Sequence, residues 1–494
     1  MKRSLAFLLT LLLLFAAPGA VFAEGGEPTV ITVMIGEQFG APYTNALPVV
    51  QELQKRTNTI LEITNVPQTD LAVKVQTALA ANDAPDIVEF WSYDDAAKYA
   101  ANGVFLPLDD YLDGMDSIKA LFTAYSSVEK NMKFDDGKYY ILPAISDRKF
   151  LINLSVNDAW LKDLNLTAPD TLDELYDTLV KFKEAYPDAI PMGNGPYAGT
   201  YTMTQIMFAH DVVNFFFLYG DGTYQYGPYQ RADNYREALR YIARLYKEGL
   251  YDNNCYSISE EEITKLITAG KLGIFASWEM YETYGTGGSW GVDYIPMQAI
   301  TGPDGQKRDR GTDPLNVPFY VTNSCEDVGA VVRLADYIYS PEGRDLVNWG
   351  IEGLTFEYDA NGDRQYTDLI MKSEQGSGTA RYVNGLVPPH FITVRDKDAE
   401  YACGNPLMRE REKLLEGIAL PEQPILTGTD AENRAYTKVM NDVSKYVSET
   451  EAKFITGKLN LDGDFDAFVS QLQKMGIEDA IQIKNDQYQR WLAR

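Results

Sequence analysis

The sequence contains few of the residues on which metal chemistry and covalent cross-linking depend. With only two histidines, His210 and His390, it can hold neither the HExxH helix of a metalloprotease nor a three-histidine zinc site. The three cysteines, Cys255, Cys325 and Cys403, are too few and too far apart for a disulfide framework, and at least one thiol stays unpaired in a monomer. We expect no cofactor, no metal and no enzymatic activity, because no recognisable acid/base motif occurs either.

Positive charge is also scarce. The 494 residues include 44 Lys and Arg against 71 Asp and Glu, which gives a net charge of −27. Binding to nucleic acid or to anionic lipid needs clustered cations, so this balance argues against both partners. A chain of this length is too long for one core and indicates two or three domains.

Long hydrophobic runs are absent after the N-terminus. Lys2 and Arg3 precede an apolar run from Leu5 to Phe15, and Val21-Phe22-Ala23 provides the small or tolerated residues that precede a cleavage site. We therefore expect residues 1–23 to be a secretory signal peptide cleaved after Ala23, with an uncleaved anchor as the alternative. No cysteine stands at the cleavage site to be lipidated, so we expect a periplasmic or extracellular protein that is not lipid-anchored there.

Strand and helix patterns alternate along most of the chain. Strands are expected at Thr29 to Ile35, Ile60 to Ile63 and Asp86 to Phe90, separated by helices at Asn45 to Thr57 and Leu71 to Ala81. This order predicts a doubly wound, mainly parallel sheet whose ligand contacts lie at the carboxyl ends of the strands. The alternation restarts after Pro143, which predicts a second α/β lobe, and the tail from Thr429 onward has a helical pattern.

Several segments together resemble a known family. They are Asn82–Val88, Ala101–Asp110, Asp136–Pro143, Asp158–Leu161, Tyr339–Phe356 and Ala452–Lys458. These segments are similar to the signatures of solute-binding protein family 1 of ABC importers, the maltodextrin-binding type, and in particular its long oligosaccharide-binding subgroup.

The resemblance implies a two-lobed periplasmic-binding-protein fold of type II with the ligand cleft between the lobes. We expect lobe 1 to comprise residues 24–143 and about 295–350, and lobe 2 residues 144–294 and about 351–494, including the helical tail. The implied function is to bind a sugar, by inference an oligosaccharide, through hinge closure and to deliver it to the permease subunits of an importer. A monomer is expected. Two alternatives stay open: a secreted carbohydrate-active enzyme and a chemoreceptor-coupled sugar sensor.

Aromatic residues beside carboxylates or amides are the pattern that a sugar site requires, because a sugar has an apolar C–H face and a rim of hydroxyls. Trp91, Tyr93 and Asp94 follow the third expected strand, and Trp278 and Glu279 follow a strand expected at Leu272 to Ala276 of the second lobe. These are the leading candidates. For each of them the alternative is a structural role, and Glu279 could simply cap the next helix.

Further candidates follow the first strand and occupy a glycine-rich loop. Glu37, Gln38 and Tyr43 lie after the first strand, and Trp290 lies within the loop Gly285 to Gly291. Trp160 and Trp349 are instead expected in the core. Asp462, Asp464 and Asp466 have the first spacings of a calcium loop, but Ala467 stands where that loop requires glycine, so no metal is assigned to them.

Overall fold

The computed structural model describes residues 27–37, 40–146, 152–195, 200–278, 294–309, 315–386, 392–403, 413–414, 418 and 423–494. For Ser126, Ile152, Asn153, Ser277, Trp278 and Asn316 only the backbone is described. Within these ranges no helix is both long enough and apolar enough to span a bilayer.

The strands form two main sheets and two separate hairpins. In chain order they are β1 (Thr29–Gly36), β2 (Thr59–Val66), β3 (Ile87–Glu89), β4 (Ile141–Ser146), β5 (Ile152–Asn157), β6 (Ile190–Met192), β7 (Phe216–Leu218), β8 (Tyr224–Tyr226), β9 (Leu272–Trp278), β10 (Tyr294–Pro296), β11 (Leu315–Val321), β12 (Phe356–Tyr358), β13 (Arg364–Tyr366) and β14 (Thr393–Arg395). β7 pairs with β8 and β12 with β13.

The helices cover these sheets. They are α1 (Pro48–Thr57), α2 (Leu71–Ala81), α3 (Tyr93–Ala101), α4 (Asp116–Ala124), α5 (Ser126–Met132), α6 (Asp158–Asp163), α7 (Leu172–Ala185), α8 (Tyr201–Ala209), α9 (Gly227–Gln230), α10 (Ala232–Lys247), α11 (Glu260–Thr268), α12 (Val328–Tyr339), α13 (Pro341–Asn348), α14 (Asp368–Met371), α15 (Ser377–Val383), α16 (Lys397–Cys403), α17 (Asp430–Ile455), α18 (Phe465–Lys474) and α19 (Ile477–Ala493). A short 3₁₀ helix covers Asp109–Tyr111.

The first sheet has the order β14-β4-β11-β3-β1-β2. β1 pairs in parallel with β2 and β3, as the alternating pattern predicted, and Ile31, Val33 and Ile35 of β1 are buried. β11 returns from the second lobe and lies antiparallel between β3 and β4. This arrangement confirms an α/β lobe whose carboxyl strand ends share one edge.

The second sheet has the order β10-β5-β9-β6 and differs from the predicted mainly parallel type. Only β6 and β9 are parallel, whereas β5 runs antiparallel to both β9 and β10. In the described part of the chain, β4 in lobe 1 is followed directly by β5 in lobe 2, with no helix between the two strands. β5 is therefore not part of a β-α-β unit, which is the connection that makes neighbouring strands parallel. The two-lobed α/β fold itself is confirmed.

Two large hydrophobic cores correspond to the two lobes. The first contains buried side chains from 31–145 and from 315–399, and the second contains those from 154–300 and from 440–480. The expected lobe boundaries therefore need correction in two places. Residues 351–403 belong with lobe 1, because β14 pairs with β4 and Tyr366 and Tyr382 pack in the first core. Residues 294–309 belong with lobe 2, because β10 pairs with β5.

The C-terminal helices contact both lobes. α17 packs in the second core through Met440 and Val443, whereas the end of α19 reaches lobe 1. There the indole Nε1 of Trp491 donates to Asn131 Oδ1 at 2.7 Å. The tail is thus helical, as predicted, but it also ties the second lobe to the first.

Candidate functional site

An exposed tryptophan stands at the carboxyl edge of the first sheet. Trp91 lies two residues beyond β3 and its side chain is 41% exposed. Its Nε1 donates a hydrogen bond to Glu89 Oε1 at 2.6 Å. Glu89 is fully buried at the end of β3, and its other oxygen accepts the backbone N–H of Gly36 at 2.9 Å. A buried carboxylate therefore fixes the orientation of an exposed aromatic ring.

The next residues begin helix α3, which carries a carboxylate in its first turn. Ser92 is the N-cap, and its Oγ accepts the backbone N–H of Asp95 at 3.3 Å. Tyr93 packs in part against the first core, and Asp94 lies in the first helical turn. Among the described residues, Oδ1 of Asp94 is buried and has no hydrogen-bond partner. That oxygen is an acceptor that the described part of the protein encloses and leaves unused.

Residues from the C-terminal part of the chain influence the pKa of Asp94. Burial raises the pKa of Asp94, while Lys484 of α19 and the backbone amide of Gly428 act in the opposite direction. Gly428 is tightly enclosed: a Cβ there would come within 2.3 Å of Gln487 Nε2 and 2.4 Å of Asn433 Oδ1. Neither Lys484 nor Glu89 was among the candidate site residues predicted from the sequence. A charged residue within the apolar run Ile87 to Phe90 was the signal that could have revealed Glu89.

Tyr43 is buried beside the first core. Its ring is 3% exposed, its hydroxyl donates to the Gly385 carbonyl at 3.0 Å, and its backbone N–H donates to Asn65 Oδ1 at 2.9 Å. Burial raises the pKa of Tyr43 well above its usual range. In this placement Tyr43 fastens its loop to the first core, and its role as a ligand contact stays a prediction. Glu37 is half-buried after β1, and its ligand role stays a prediction.

The side chains of the remaining candidate site residues lie outside the part of the chain that the structure describes. Trp278 is the last residue of β9, where its backbone pairs with Ile152, and so it ends the strand instead of following it. Its side chain, like Gln38, Glu279 and Trp290, lies outside the described residues. Trp91, Tyr93 and Asp94 thus follow β3 directly, and Glu37 follows the end of β1, the neighbouring strand.

The tryptophans assigned to the core are where the sequence predicted them. Trp160 is 7% exposed and stacks on Tyr186 with ring centroids 4.3 Å apart. Trp349 is 4% exposed, and its Nε1 donates to Asp396 Oδ2 at 2.9 Å. Both residues serve packing.

The aspartates of the incomplete calcium loop have protein partners. Asp462 pairs with Arg240 at 2.9 Å, and Asp464 accepts the backbone N–H of Asn460 at 2.8 Å. In the part of the chain that the structure describes, no group of three or more His, Cys, Asp or Glu side chains is arranged to hold a metal ion. Cys255 and Cys325 form no disulfide within the described residues, and burial raises the pKa of each thiol to about 12.

Known proteins share this architecture over almost the whole chain. The fructooligosaccharide ABC transporter substrate-binding protein FusA of Streptococcus pneumoniae is 25% identical over 509 residues, which cover 90% of this chain and 87% of that protein. The polygalacturonan/rhamnogalacturonan-binding protein YtcQ of Bacillus subtilis is 22% identical, with 88% and 86% covered.

Solved structures agree with the fold. An HMO-binding solute-binding protein associated with an ABC transporter of Bifidobacterium longum infantis superposes with a TM-score of 0.76 at 19% identity, covering 94% of this chain and 99% of that one. The alginate-binding protein AlgQ2 gives a TM-score of 0.74 at 23% identity, with 94% and 99% covered.

A family model provides the assignment. Residues 49–346, more than half of the chain, match the model of bacterial extracellular solute-binding proteins. This match agrees with the two lobes and with the resemblance found in the sequence. The chain belongs to the bacterial extracellular solute-binding protein family.

Proposed function

We propose that this protein binds an oligosaccharide outside the cytoplasmic membrane and delivers it to the permease of an ABC importer. One observation carries the proposal: the exposed indole of Trp91 is held in place by the buried Glu89 at the carboxyl edge of the first sheet, three residues before Asp94. The ring offers a flat surface for the C–H face of a sugar, and Asp94 is the carboxylate that we propose accepts hydrogen bonds from its hydroxyls.

The relatives support a carbohydrate as the cargo. FusA carries fructooligosaccharide in its name, YtcQ is named for pectic polysaccharides, and AlgQ2 for alginate. Their cargoes differ in charge and linkage, so they support the class of ligand and not a particular sugar. Trp91, Tyr93 and Asp94 are the contacts we propose on lobe 1, with Glu37 beside them.

Hinge closure is the proposed mechanism. Lobe 1 supplies the Trp91 surface, and a ligand that bridges the two lobes stabilises the closed form that a permease recognises. Small-angle scattering tests this step, because a bridging ligand should lower the radius of gyration without altering the circular dichroism spectrum. An unchanged radius at saturating ligand would contradict closure.

A thermal-shift screen over a glycan panel is the first test of function. The panel should contain fructooligosaccharides, polygalacturonan fragments and alginate oligosaccharides. A ligand present at 100 times its Kd stabilises the folded state by about 2.7 kcal/mol, which raises the melting temperature measurably. Calorimetric titration of each hit against wild type and Trp91→Ala then assigns the site. A panel without any hit, including mixed plant and host glycans, counts against the proposal.

The enzyme alternative has one specific feature that can be tested. Gly287-Gly288-Ser289-Trp290-Gly291 has the Gly-x-Ser-x-Gly spacing of a hydrolase nucleophile, although these residues lie outside the described ranges. We expect wild type to return every bound glycan unchanged on prolonged incubation. Product release that disappears in Ser289→Ala would instead establish a hydrolase.

Location and assembly complete the proposal. Residues 1–23 are proposed as a signal peptide, so N-terminal sequencing of the exported protein should begin at Glu24. The mature protein is proposed to be monomeric and free of a lipid anchor at its N-terminus. Recovery of the Met1 species in membranes after a salt wash would overturn this location.

A further inference from the structure

A groove on the second lobe is lined by aromatic rings. It lies between the β7–β8 hairpin and the helices α17 and α19, and its volume is about 470 Å³. Phe216 is near the centre of the ring cluster, with its centroid 6.0 Å from that of Tyr224 and 6.0 Å from that of Tyr436. We call this feature the α17 groove. Its volume lies within the usual range of small-molecule sites.

Polar groups occur among these rings. Ser444 and Ser448 of α17 line the α17 groove and are exposed. Lys484 projects from α19 with its Nζ 4.5 Å from the centroid of the Tyr436 ring, and it donates to Gln487 Oε1 at 2.8 Å. An ammonium group has three donors, so Lys484 has capacity for further hydrogen bonds. Lys484 is half-buried, and burial lowers its pKa.

The hydroxyls of three tyrosines are also uncommitted. Tyr224, Tyr226 and Tyr436 line the α17 groove, and in the described part of the chain their hydroxyls have no hydrogen-bond partner. None of these oxygens is among the fully buried atoms that lack a partner, so each retains access to the groove or to solvent. The α17 groove thus combines apolar ring faces with several free hydroxyls and one ammonium.

The α17 groove adjoins the candidate site on lobe 1. Two residues that line the groove, Tyr436 and Lys484, lie within electrostatic range of Asp94. Asp94 follows Trp91 by three residues at the start of α3.

We propose that the α17 groove is a second binding subsite, which takes an additional sugar ring of the same oligosaccharide. This inference rests on the proposed function and adds a length requirement to it: short saccharides use only the Trp91 surface, and longer ones use both. The C–H face of the additional ring packs on Phe216 and Tyr436, while its hydroxyls exchange hydrogen bonds with Lys484 and the tyrosine hydroxyls.

Other occupants fit these residues less well. A purely apolar ligand would bury the tyrosine hydroxyls and the unused donors of Lys484 without partners, which opposes binding. A polyanion would find one cationic side chain among the lining residues, Lys484. The negative charge of Asp94 already balances part of the charge of Lys484. A neutral hydroxylated ring satisfies both kinds of surface.

A bulky substitution at an exposed serine tests the proposal with little risk to folding. Ser444→Phe places an aromatic ring in the α17 groove, and Asn441→Phe places the same ring on an exposed position of α17 that does not line it. Calorimetric titrations with a series of one saccharide of increasing chain length are run on wild type and both variants. Ser448→Phe, at the other exposed serine of the lining, is the second probe.

The expected result separates long from short ligands. Wild type should gain affinity with chain length, and Ser444→Phe should lose about tenfold in affinity for the longer saccharides while it keeps its affinity for the shortest one bound. Ser448→Phe should weaken the longer ones in the same way, and Asn441→Phe should match wild type. Equal affinities of Ser444→Phe and wild type at every length would overturn the subsite alone. An equal loss at every length would also overturn it, whereas a wild type that binds no saccharide would overturn the proposed function together with the subsite.

Discussion

The carboxylate of Glu89 accepts the indole N–H of Trp91 at 2.6 Å and the backbone N–H of Gly36 at 2.9 Å. Both oxygens of a fully buried acid are thus used as acceptors, one toward an exposed ring and one toward the end of β1. A charge-assisted hydrogen bond of this kind is stronger than a neutral one. The exposed ring is therefore held in one orientation before any ligand arrives, which lowers the entropy cost of binding.

Glu89→Gln should weaken ligand binding through the orientation of Trp91. An amide offers one acceptor oxygen where the carboxylate offers two, so one of the two N–H donors loses its partner. We expect a stability loss of about 1–3 kcal/mol and a measurable loss of saccharide affinity. Urea unfolding and calorimetric titration measure the two effects. Glu62→Gln, at an exposed position of β2, is the matched control, and wild-type affinity in Glu89→Gln would contradict this role.

Two tryptophans should respond differently to truncation. Trp91→Ala removes an exposed surface and one hydrogen-bond donor to Glu89, so affinity should fall by roughly 2 kcal/mol and the unfolding free energy by about 1–3 kcal/mol. Trp160→Ala empties a site packed by Phe182 and Tyr186, so unfolding free energy should fall by about 3–5 kcal/mol. Titrations and thermal melts on both variants give the comparison. A Trp91→Ala variant that melts early but binds normally would make Trp91 a core residue.

The sequence predicted the strands and helices at the start of the first lobe well. It did not correctly predict to which lobe the later segments of the chain belong. β1, β2 and β3 are apolar runs between clear helices, and their order alone implies a parallel sheet with Trp91 at its carboxyl edge. β14 has three residues, and nothing in its composition tells which lobe it joins. The chain crosses between lobes several times, so residues 351–403 could only be assigned from pairing and packing, not from pattern.

In the candidate site, too, local sequence patterns predicted some residues, whereas long-range contacts placed others. The position of Trp91 and Asp94 follows from strand order, which is local information. Tyr43 also follows a strand, but its contacts with Asn65 and Gly385 bury it, and Gly385 is more than 300 residues away in the chain. Lys484 and Tyr436 approach Asp94 from the C-terminal helices, which no local pattern could reveal.

The contact between the C-terminal helix α19 and lobe 1 should contribute to the free energy of unfolding. Asp135 receives hydrogen bonds from Arg490 at 3.2 Å and from Arg494, whose side chain is largely buried. Asp135→Ala leaves the Arg494 guanidinium buried without this carboxylate, so we expect a loss of about 1–3 kcal/mol in unfolding free energy.

Urea unfolding provides this measurement, and a surface aspartate provides its control. Asp113 lies 3.8 Å from Lys119 and is fully exposed, so Asp113→Ala should change the unfolding free energy by less than about 0.5 kcal/mol. If Asp135→Ala were as stable as Asp113→Ala, the contact between α19 and lobe 1 would not contribute to folding.

The last prediction concerns pH and His210. His210 is 9% exposed at the end of α8, with Nδ1 3.0 Å from the Ile206 carbonyl oxygen. Burial lowers the pKa of His210 below its usual 6.5, although the Ile206 carbonyl and the charge of Glu237 act in the opposite direction. Because the unfolded chain then binds a proton more readily than the folded one, this group destabilises the fold as the pH falls from about 6.5 through its folded pKa.

His210→Gln removes that titration and should flatten the dependence of stability on pH. The unfolding free energies of wild type and variant should differ by a constant amount from pH 8 to about 7, and below about 6.5 the wild type should lose stability faster. Urea unfolding at several pH values measures both curves, and subtracting them removes the contribution of the carboxylates that titrate equally in both proteins. Parallel curves down to pH 5 would show that His210 titrates in the folded protein as it does in the unfolded chain.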